Sequence, residues 1–236
     1  MKAVVLAGGK GARLAPYTKI LPKPLMPIGD MPILEILLRQ MQRSGVDEVV
    51  LTVGHLAHLL ETFFQDGRRL GLHIRYSFED QPLGTAGPLA LIDGLDDTFL
   101  VTNGDVLTTL DLADLVASHR RSGAIATIST HCRHVKIDLG VIQFNGGQEI
   151  VGYSEKPSFD FQVSMGVYVF EPAVLNYIEH NRYLDFPDLV LRLIDDGQKV
   201  LGYPFDGYWQ DLGRPDEYEQ AVTEFETLRT VILGED

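Results

Sequence analysis

Leu6 to Pro27 reads LAGGKGARLAPYTKILPKPLMP. A short apolar run, Ala3-Val4-Val5-Leu6-Ala7, leads directly into Gly8-Gly9-Lys10-Gly11-Ala12-Arg13. A buried strand that ends in a glycine-rich turn lets backbone N–H groups approach a phosphate, because no Cβ stands in the way. The same region carries Lys2, Lys10, Arg13, Lys19 and Lys23, with no acid before Asp30. The chain has 20 basic and 33 acidic residues, so 15 bases face all 33 acids elsewhere. A basic glycine loop in an acidic chain points to a polyphosphate ligand.

The loop is not a Walker A sequence, since G-x-x-x-x-G-K-[S/T] occurs nowhere in the chain. It is also a poor dinucleotide fingerprint. Leu14 stands where the third glycine would fall, and Arg13 sits inside the turn. G-G-x-G by itself is equally a plain glycine turn, so the residues that follow decide. Arg13-Leu14-x-Pro16-x-Thr18, then Pro22-Lys23-Pro24-Leu25-x-Pro27, resembles the signature of sugar-1-phosphate nucleotidyltransferases, the NDP-sugar pyrophosphorylases. Ala12 departs from the Thr usual in that signature. The resemblance runs from Lys2 to about Tyr218, and within the family it points to the short, mannose-1-phosphate guanylyltransferase-like forms. It implies an α/β fold: a Rossmann-like three-layer sandwich around a mostly parallel central sheet, of glycosyltransferase-A-like type. It also leads us to expect a single nucleotidyltransferase domain over residues 1–236, without the C-terminal left-handed β-helix of many relatives.

Composition narrows the class. At 236 residues the chain is long enough to bury a sizeable core. Apolar content of 45% with 22% charged residues is ordinary for a soluble globule. No apolar run approaches the length that spans a bilayer, and the start shows no signal-peptide pattern. Cys132 is the only cysteine, which excludes an intrachain disulfide framework. The expectation is a cytoplasmic protein with no membrane partner. A net charge of −13 argues against nucleic acid as a partner, because phosphate-backbone binding needs a broad basic surface. A monomer and a homo-oligomer both fit this composition.

Strand and helix patterns alternate through residue 105. Strands are expected at Ala3–Ala7, Glu48–Val53, His73–Phe78 and Thr98–Thr102. Helices are expected from Pro32 to near Gly45, at His55–Gln65 and at Pro88–Leu91. Alternation of this kind implies a parallel sheet covered on both faces. Ligands in such sheets bind at the carboxyl ends of the strands. The glycine loop and Asn103-Gly104-Asp105 both occupy such ends. After about residue 123 the pattern turns β-rich: Ala124–Thr130, Gly140–Phe144, Glu149–Tyr153 and Val167–Phe170, with a hairpin signal at Asn145-Gly146. Helices return near Pro172–His180, Phe186–Asp196 and Pro215–Leu228, and the acidic end Gly234-Glu235-Asp236 is expected to fray.

Further motifs fill out the resemblance. Leu83-Gly84-Thr85-Ala86-Gly87 reads, taken alone, as a helix start capped by Thr85. In the family this second glycine-rich stretch flanks the nucleobase. Glu79 lies five residues before Gly84, where relatives that use uracil or thymine often carry Gln. A carboxylate can accept from guanine N1–H and N2–H together but cannot donate to a pyrimidine O4. That favours GTP, with UTP, dTTP and CTP as the alternatives. Val101-Thr102-Asn103-Gly104-Asp105 ends a buried strand with a carboxylate, and Tyr208-Trp209-Gln210-Asp211-Leu212-Gly213 resembles the family's W-x-D-x-G. The resemblance makes Asp105 and Asp211 the paired ligands of Mg2+. Magnesium takes only one or two protein carboxylates beside substrate phosphates. Trp209, the only tryptophan, is equally a core residue. Ser154-Glu155-Lys156-Pro157 matches E-K-P. The resemblance implies that Lys156 holds the sugar phosphate, that Glu155 accepts from sugar hydroxyls, and that Gly140 and Gly166 let the backbone approach the sugar. Ser164-Met165-Gly166 departs from the commoner N-x-G and leaves the sugar open, with a mannose- or heptose-type 1-phosphate as the expectation. His55-x-x-His58 and His131-x-x-His134 with Cys132 read as structural or solvated histidines and not as a zinc site.

The implied reaction joins an NTP and a sugar 1-phosphate into an NDP-sugar and pyrophosphate. A phosphate oxygen attacks the α-phosphorus in line, and that nucleophile is already an anion, so no general base is needed. The obstacle is like charge. Each pair of unit charges at ~4 Å costs roughly 4 kcal/mol at an effective dielectric of about 20. Alignment and charge neutralisation should then carry catalysis. The catalytic set expected is Arg13, Lys23, Asp105, Lys156 and Asp211, with Arg13 on the leaving pyrophosphate and Lys23 near the transferred phosphate. The nucleotide set is Leu6, Ala7, Gly8, Gly9, Gly11, Arg13, Lys23, Glu79, Gly84, Thr85, Asn103 and Asp105. The sugar-phosphate set is Gly140, Glu155, Lys156, Ser164 and Gly166. A catalytically silent regulatory subunit of the same fold is the rival from another class. A dinucleotide-dependent oxidoreductase fails, because Asp30 precedes a helix instead of ending a second strand.

Overall fold

The computed structural model describes residues 1–234, so the last two residues of the expected frayed end, Glu235 and Asp236, lie outside the described residues. Strand β1 (Lys2–Leu6) feeds the glycine loop, followed by three short 3-10 turns at Ala12–Leu14, Tyr17–Lys19 and Lys23–Leu25. A two-residue hairpin, β2 (Pro27–Ile28) and β3 (Met31–Pro32), leads into α1 (Ile33–Arg43), then β4 (Glu48–Val53), α2 (Ala57–Phe64), β5 (His73–Phe78), β6 (Phe99–Asn103) and β7 (Val106–Thr108). Helix α3 (Leu112–Ser122) precedes β8 (Ala126–Lys136), β9 (Val141–Phe144), β10 (Ile150–Ser154) and β11 (Ser158–Phe170). The chain continues through α4 (Phe186–Asp195), β12 (Val200–Pro204), β13 (Trp209–Asp211) and α5 (Pro215–Leu233).

Seven strands form the central sheet in the order β12-β8-β11-β6-β1-β4-β5. Four neighbouring pairs are parallel, and the two made by β11 are antiparallel, so β11 alone runs against the rest. Strand alternation then builds two separate cores. Ala3 and Val5 of β1 join Leu34, Leu37 and Met41 of α1, Phe64 of α2 and Leu115 of α3 on one face. Val4, between them, joins Phe99, Phe170, and Phe186 and Leu189 of α4 on the other. The expected three-layer sandwich is present. A third cluster, Met26, Ile28, Leu107, Leu212, Ala221 and Phe225, clamps α5 over the loop after β1 and over the small ladder β7–β13.

Several elements differ from the sequence reading. Helix α3 is absent from it, although its signals are local. Asp111 Oδ1 accepts from the amides of Ala113 (2.9 Å) and Asp114 (3.0 Å), Gly123 ends the helix in the left-handed conformation, and Leu112, Leu115, Val116 and His119 form the buried stripe. The helices expected at Pro88–Leu91 and Pro172–His180 are 3-10 turns, Gly87–Leu91 and Pro172–Tyr177. Stretches this short close too few α-type bonds to offset nucleation, and the tighter turn wins. Strands β8 and β11 run well beyond Thr130 and begin well before Val167. Their outer halves, paired from Thr130↔Ser164 to Lys136↔Ser158, form an arm in which a mostly polar β8 segment faces Phe159, Phe161 and Val163 alternating with polar residues on β11. The hairpin expected at Asn145-Gly146 joins β9 and β10 as a separate ribbon. No helix among the described residues is long and apolar enough to cross a membrane.

Candidate active site

The candidate residues converge at the carboxyl ends of β1 and β6. The amide of Gly104 donates to Leu6 O (3.0 Å), which seats the Asn103-Gly104-Asp105 turn against the start of the glycine loop. Asp211 comes from the far end of the chain. β13 pairs antiparallel with β7 in the register Asp211↔Val106, and the Leu212 amide donates to Asp105 O (3.2 Å). The Trp209 indole donates to Met165 O (3.0 Å), fixing β13 to the bend in β11. Trp209 thus acts as a tether, neither pure core nor a ligand wall.

Lys23 links the two carboxylates. Its Nζ pairs with Asp105 Oδ2 and lies 3.9 Å from Asp211 Oδ1. The Lys23 side chain is only 11% exposed, against 20% for Asp105 and 45% for Asp211. Arg13 reaches the same cluster: a Cβ placed on Gly213 would stand 3.5 Å from its guanidinium, the same construction placing it 3.4 Å from both Asp211 carboxylate oxygens. Burial pushes the Asp211 carboxyl above the usual carboxylate range. The Asp105 charge and Glu217 push the same way, while Lys23 and Arg13 oppose them. Two carboxylates converging on one cation, with a further cation at the edge, form a site that wants positive charge.

A divalent cation fits this donor set. Asp105 Oδ1 is buried and has no hydrogen-bond partner, and an unpaired buried carboxylate oxygen is costly unless something positive meets it. Asp105 and Asp211 offer the hard oxygen ligands that Mg2+ prefers.

The nucleotide-side residues fall into two groups. Gly8, Gly9 and Gly11 line the loop after the half-buried Leu6 and the buried Ala7. A Cβ on Gly11 would stand 2.9 Å from Thr18 Cγ2 and 3.2 Å from Lys23 Cβ, so the loop packs on the signature lysine. Thr18 Oγ1 donates to Gly11 O (2.8 Å). Glu79 reaches the same loop, with Oε1 3.1 Å from where a Gly8 Cβ would be. Its other oxygen, Oε2, accepts from the Leu83 amide (3.0 Å), and burial raises its carboxyl above the ordinary range, partly opposed by that bond. Gly84 and Thr85 have internal partners instead. Gly84 has φ +80° and backs onto Leu184 O, which a Cβ would approach to 2.5 Å. The Thr85 amide and hydroxyl both donate to Asp185 Oδ1 (2.9 and 3.1 Å), and Thr85 Oγ1 accepts from the Phe186 amide (2.8 Å). Thr85 therefore caps α4, not a helix of its own.

The sugar-side residues split as well. Gly166, at φ +75° in the bend of β11, faces Asn103: a Cβ there would lie 2.5 Å from Asn103 Nδ2. Ser164 Oγ donates to the Tyr168 hydroxyl (3.1 Å) and accepts from the Gly166 amide (3.3 Å). Glu155 and Lys156 sit in the turn between β10 and β11, both exposed, and Glu155 Oε2 accepts from Tyr153 OH (3.2 Å). The paired stretch Ser158–Ser164 separates them from Gly166, a run of roughly 20 Å at the rise of a β-strand. The structure does not bring Lys156 into an ion pair with Asp105 or Asp211 among the described residues. Tyr153 fills the space a Cβ on Gly140 would need, so Gly140 is explained by its own hairpin and not by an approach to sugar.

Asp185 and Tyr183 were not singled out from sequence. Tyr183 OH donates to Asp185 Oδ2 (2.6 Å), which steadies the carboxylate that holds Thr85. Nothing local marks Asp185 as the partner of Thr85, since that contact spans 100 residues. Of the histidines, His131 packs at a tilt of 33° against Trp209 with ring centroids 5.5 Å apart, and His55 Nε2 lies 3.4 Å from Thr18 O. Cys132, His134 and Asp160 do bring one ligand-type atom each within 4.8 Å of one another on the arm. His134 Nδ1 already pairs with Asp160 at 2.5 Å there.

The chain resembles known proteins in sequence and in fold. The chain is 38% identical over 242 residues to a UTP–glucose-1-phosphate uridylyltransferase of Synechocystis, covering 94% of this chain and 62% of that protein. It is 37% identical over 226 residues to a mannose-1-phosphate guanylyltransferase of Mycobacterium tuberculosis, covering 92% and 62%. The chain thus spans less than two thirds of the length of these relatives. Among solved structures, HddC from Yersinia pseudotuberculosis superposes with a TM-score of 0.71 at 23% identity, over 95% of this chain and 99% of that one, a likeness of fold. Residues 2–227 match the nucleotidyl transferase family, and the chain belongs to it.

Proposed function

We propose that this chain is a sugar-1-phosphate nucleotidyltransferase, joining an NTP and a sugar 1-phosphate into an NDP-sugar with release of pyrophosphate. The observation that carries the reading is the convergence of Asp105, Asp211, Lys23 and Arg13 beside the glycine loop, from three distant parts of the chain. In this reading the loop amides from Gly8 to Gly11 bind the triphosphate. Arg13 holds the leaving pyrophosphate through its planar fork, and Lys23 neutralises the phosphoryl group in transfer. Asp105 and Asp211 would hold Mg2+, whose chemistry there is to offset phosphate charge and fix in-line geometry. Lys156, in the turn at the far end of the arm, binds the phosphate of the incoming sugar, with Glu155 on its hydroxyls, so that this reading needs the arm end to approach the carboxylate pair when sugar phosphate binds. The reaction would take place in the cytoplasm.

The proposed nucleotide is GTP with a mannose- or heptose-type 1-phosphate. The half-buried Glu79 beside Gly8 supports it, as does the guanylyltransferase name of the Mycobacterium relative. One observation favours UTP as a second reading: Glu79 Oε2 already accepts from Leu83, which leaves one oxygen instead of two for guanine donors. The uridylyltransferase name of the Synechocystis relative points the same way. Pyrophosphate release should be followed for the four NTPs and dTTP against glucose, mannose and heptose 1-phosphates. Glu79→Gln should then lower the preference for GTP over UTP at least about tenfold, the factor that corresponds to about 1.4 kcal/mol. A parent that prefers UTP removes the guanine assignment and keeps the reaction. No pyrophosphate with any pair would support the silent-subunit alternative.

A further inference from the structure

We propose that Lys23 occupies the cation position of the metal-free protein, so that a divalent ion enters well only when a triphosphate draws the lysine away. The proposal rests on the nucleotidyl-transfer reading of the Asp105–Asp211 pair. The Lys23 ammonium pairs with Asp105 and lies 3.9 Å from Asp211, the point between the two carboxylates where a shared cation belongs. Its side chain is nearly buried, and no third acceptor holds it among the described residues. The position is built in by the backbone. Lys23 opens a 3-10 turn between Pro22 and Pro24, closed by Leu25 N–H to Pro22 O (2.8 Å) and Met26 N–H to Lys23 O (3.0 Å). Only the side chain beyond Cβ, which already packs against Gly11, is free to swing.

The charges make the two occupants exclusive. A divalent ion between the same carboxylates would stand within a few ångströms of the ammonium, and like charges in a half-buried site repel strongly. Asp105 Oδ1, buried and without a partner, shows that the lysine satisfies only part of the pair. A triphosphate bound at the glycine loop brings several negative charges within reach of the lysine stem. Lys23 then has a better partner and the carboxylates lose their internal cation. Loading of the cation is thereby coupled to loading of the nucleotide, and the free protein keeps a low affinity for the ion alone.

The test is Mn2+ binding without nucleotide, read as loss of the free-ion electron paramagnetic resonance signal. Lys23→Met should bind Mn2+ at least about tenfold more tightly than the parent, a change of about 1.4 kcal/mol. Lys23→Arg, which keeps the charge, should stay as weak as the parent, and Asp105→Asn in the Lys23→Met background should lose the gain. Equal Mn2+ affinity in the parent and Lys23→Met, with binding still abolished by Asp105→Asn, overturns the placeholder role and leaves the metal site standing. Binding indifferent to Asp105→Asn and Asp211→Asn removes the site itself, and the proposal with it. Should Lys23→Met fail to fold, the parent decides through the 15N resonance of the Lys23 ammonium. That resonance must move when Mg2+ saturates the protein, and an unmoved signal overturns the proposal.

Discussion

Gly166→Ala tests whether the bend of β11 is shaped by the protein's own Asn103. Two separate penalties follow from the structure. Gly166 has φ +75°, a left-handed conformation that costs an alanine about 1–2 kcal/mol. The new Cβ would also lie 2.5 Å from Asn103 Nδ2 and 3.0 Å from its Cγ, an overpacking for which roughly 1–3 kcal/mol is typical. The sum is roughly 2–5 kcal/mol, to be read from urea denaturation at 25 °C with the slope held in common. Asn103→Ala separates the parts. It removes Nδ2 and Cγ and leaves Asn103 Cβ at 3.5 Å, an ordinary contact. In that background Gly166→Ala should cost only the conformational part, giving a coupling of about 1–3 kcal/mol in the double-mutant cycle. Equal costs in both backgrounds would refute the steric reasoning, and a cost below about 0.5 kcal/mol in either would refute the conformational one.

Asp105→Asn and Asp211→Asn should each abolish Mg2+-dependent turnover while keeping the parent's circular dichroism; near-normal turnover in both would end the two-carboxylate account. Arg13→Ala should depress kcat more than it raises KM for sugar phosphate, whereas Lys156→Ala should chiefly raise that KM, and the reverse pattern would exchange their roles. His119 supplies a pH prediction. It is buried with Nδ1 2.7 Å from Thr127 Oγ1 and Nε2 3.1 Å from Glu171 Oε1, and burial lowers its pKa below the ordinary 6.5, against the pull of Glu171. The unfolded chain therefore takes up the proton first on acidification. The stability from a neutral His119 is full above about pH 6.5 and is lost as pH falls through the lower folded value. Asp211 and Glu79, whose carboxyls are raised, act in the opposite sense: their contribution is full below the unfolded carboxylate range and is lost as pH rises through the folded value. The difference in Tm between the parent and His119→Gln from pH 7.5 to 5 isolates the histidine, and a pH-independent difference would contradict the assignment.

The sheet was legible because β1, β4 and β6 are short apolar runs bounded by turn residues, which cannot avoid the core, and β5 alternates Ile74, Tyr76 and Phe78 with polar residues. The arm was not, because Thr130 to Lys136 is mostly polar, although the alternation of Phe159, Phe161 and Val163 with polar residues in Ser158 to Ser164 is itself a strand signal. Helix α3 carried its cap, stripe and stop in plain view at Asp111, Leu112–His119 and Gly123, and a pass for capping residues finds it. The site divides along the same line. Gly8–Gly11, Arg13, Lys23, Asp105 and Asp211 were readable as motifs, and the fold assembles them. Which partners Gly84, Thr85 and Gly140 face was not readable. Leu184, Asp185 and Tyr153 are ordinary residues in sequence, and they matter here only through tertiary contact. The pairing of Lys23 with both aspartates likewise required coordinates, since no spacing relates residues 23, 105 and 211.

The ladder that joins β7 to β13 has a consequence for biosynthesis. It pairs Val106 with Asp211, three residues on each side, and together with the Leu212–Asp105 bond and the Trp209 tether it sets the second carboxylate beside the first. Contacts that close such long loops form late, because the chain must be ordered before they repay it. A nascent polypeptide emerging from the ribosome shows its glycine loop and Asp105 early, yet it has no second acid until Asp211 has been made. A chain without β13 therefore carries the glycine loop and only one of the two carboxylates. The carboxylate pair is completed in one late step, when β13 docks and α5 closes over it through Ala221 and Phe225.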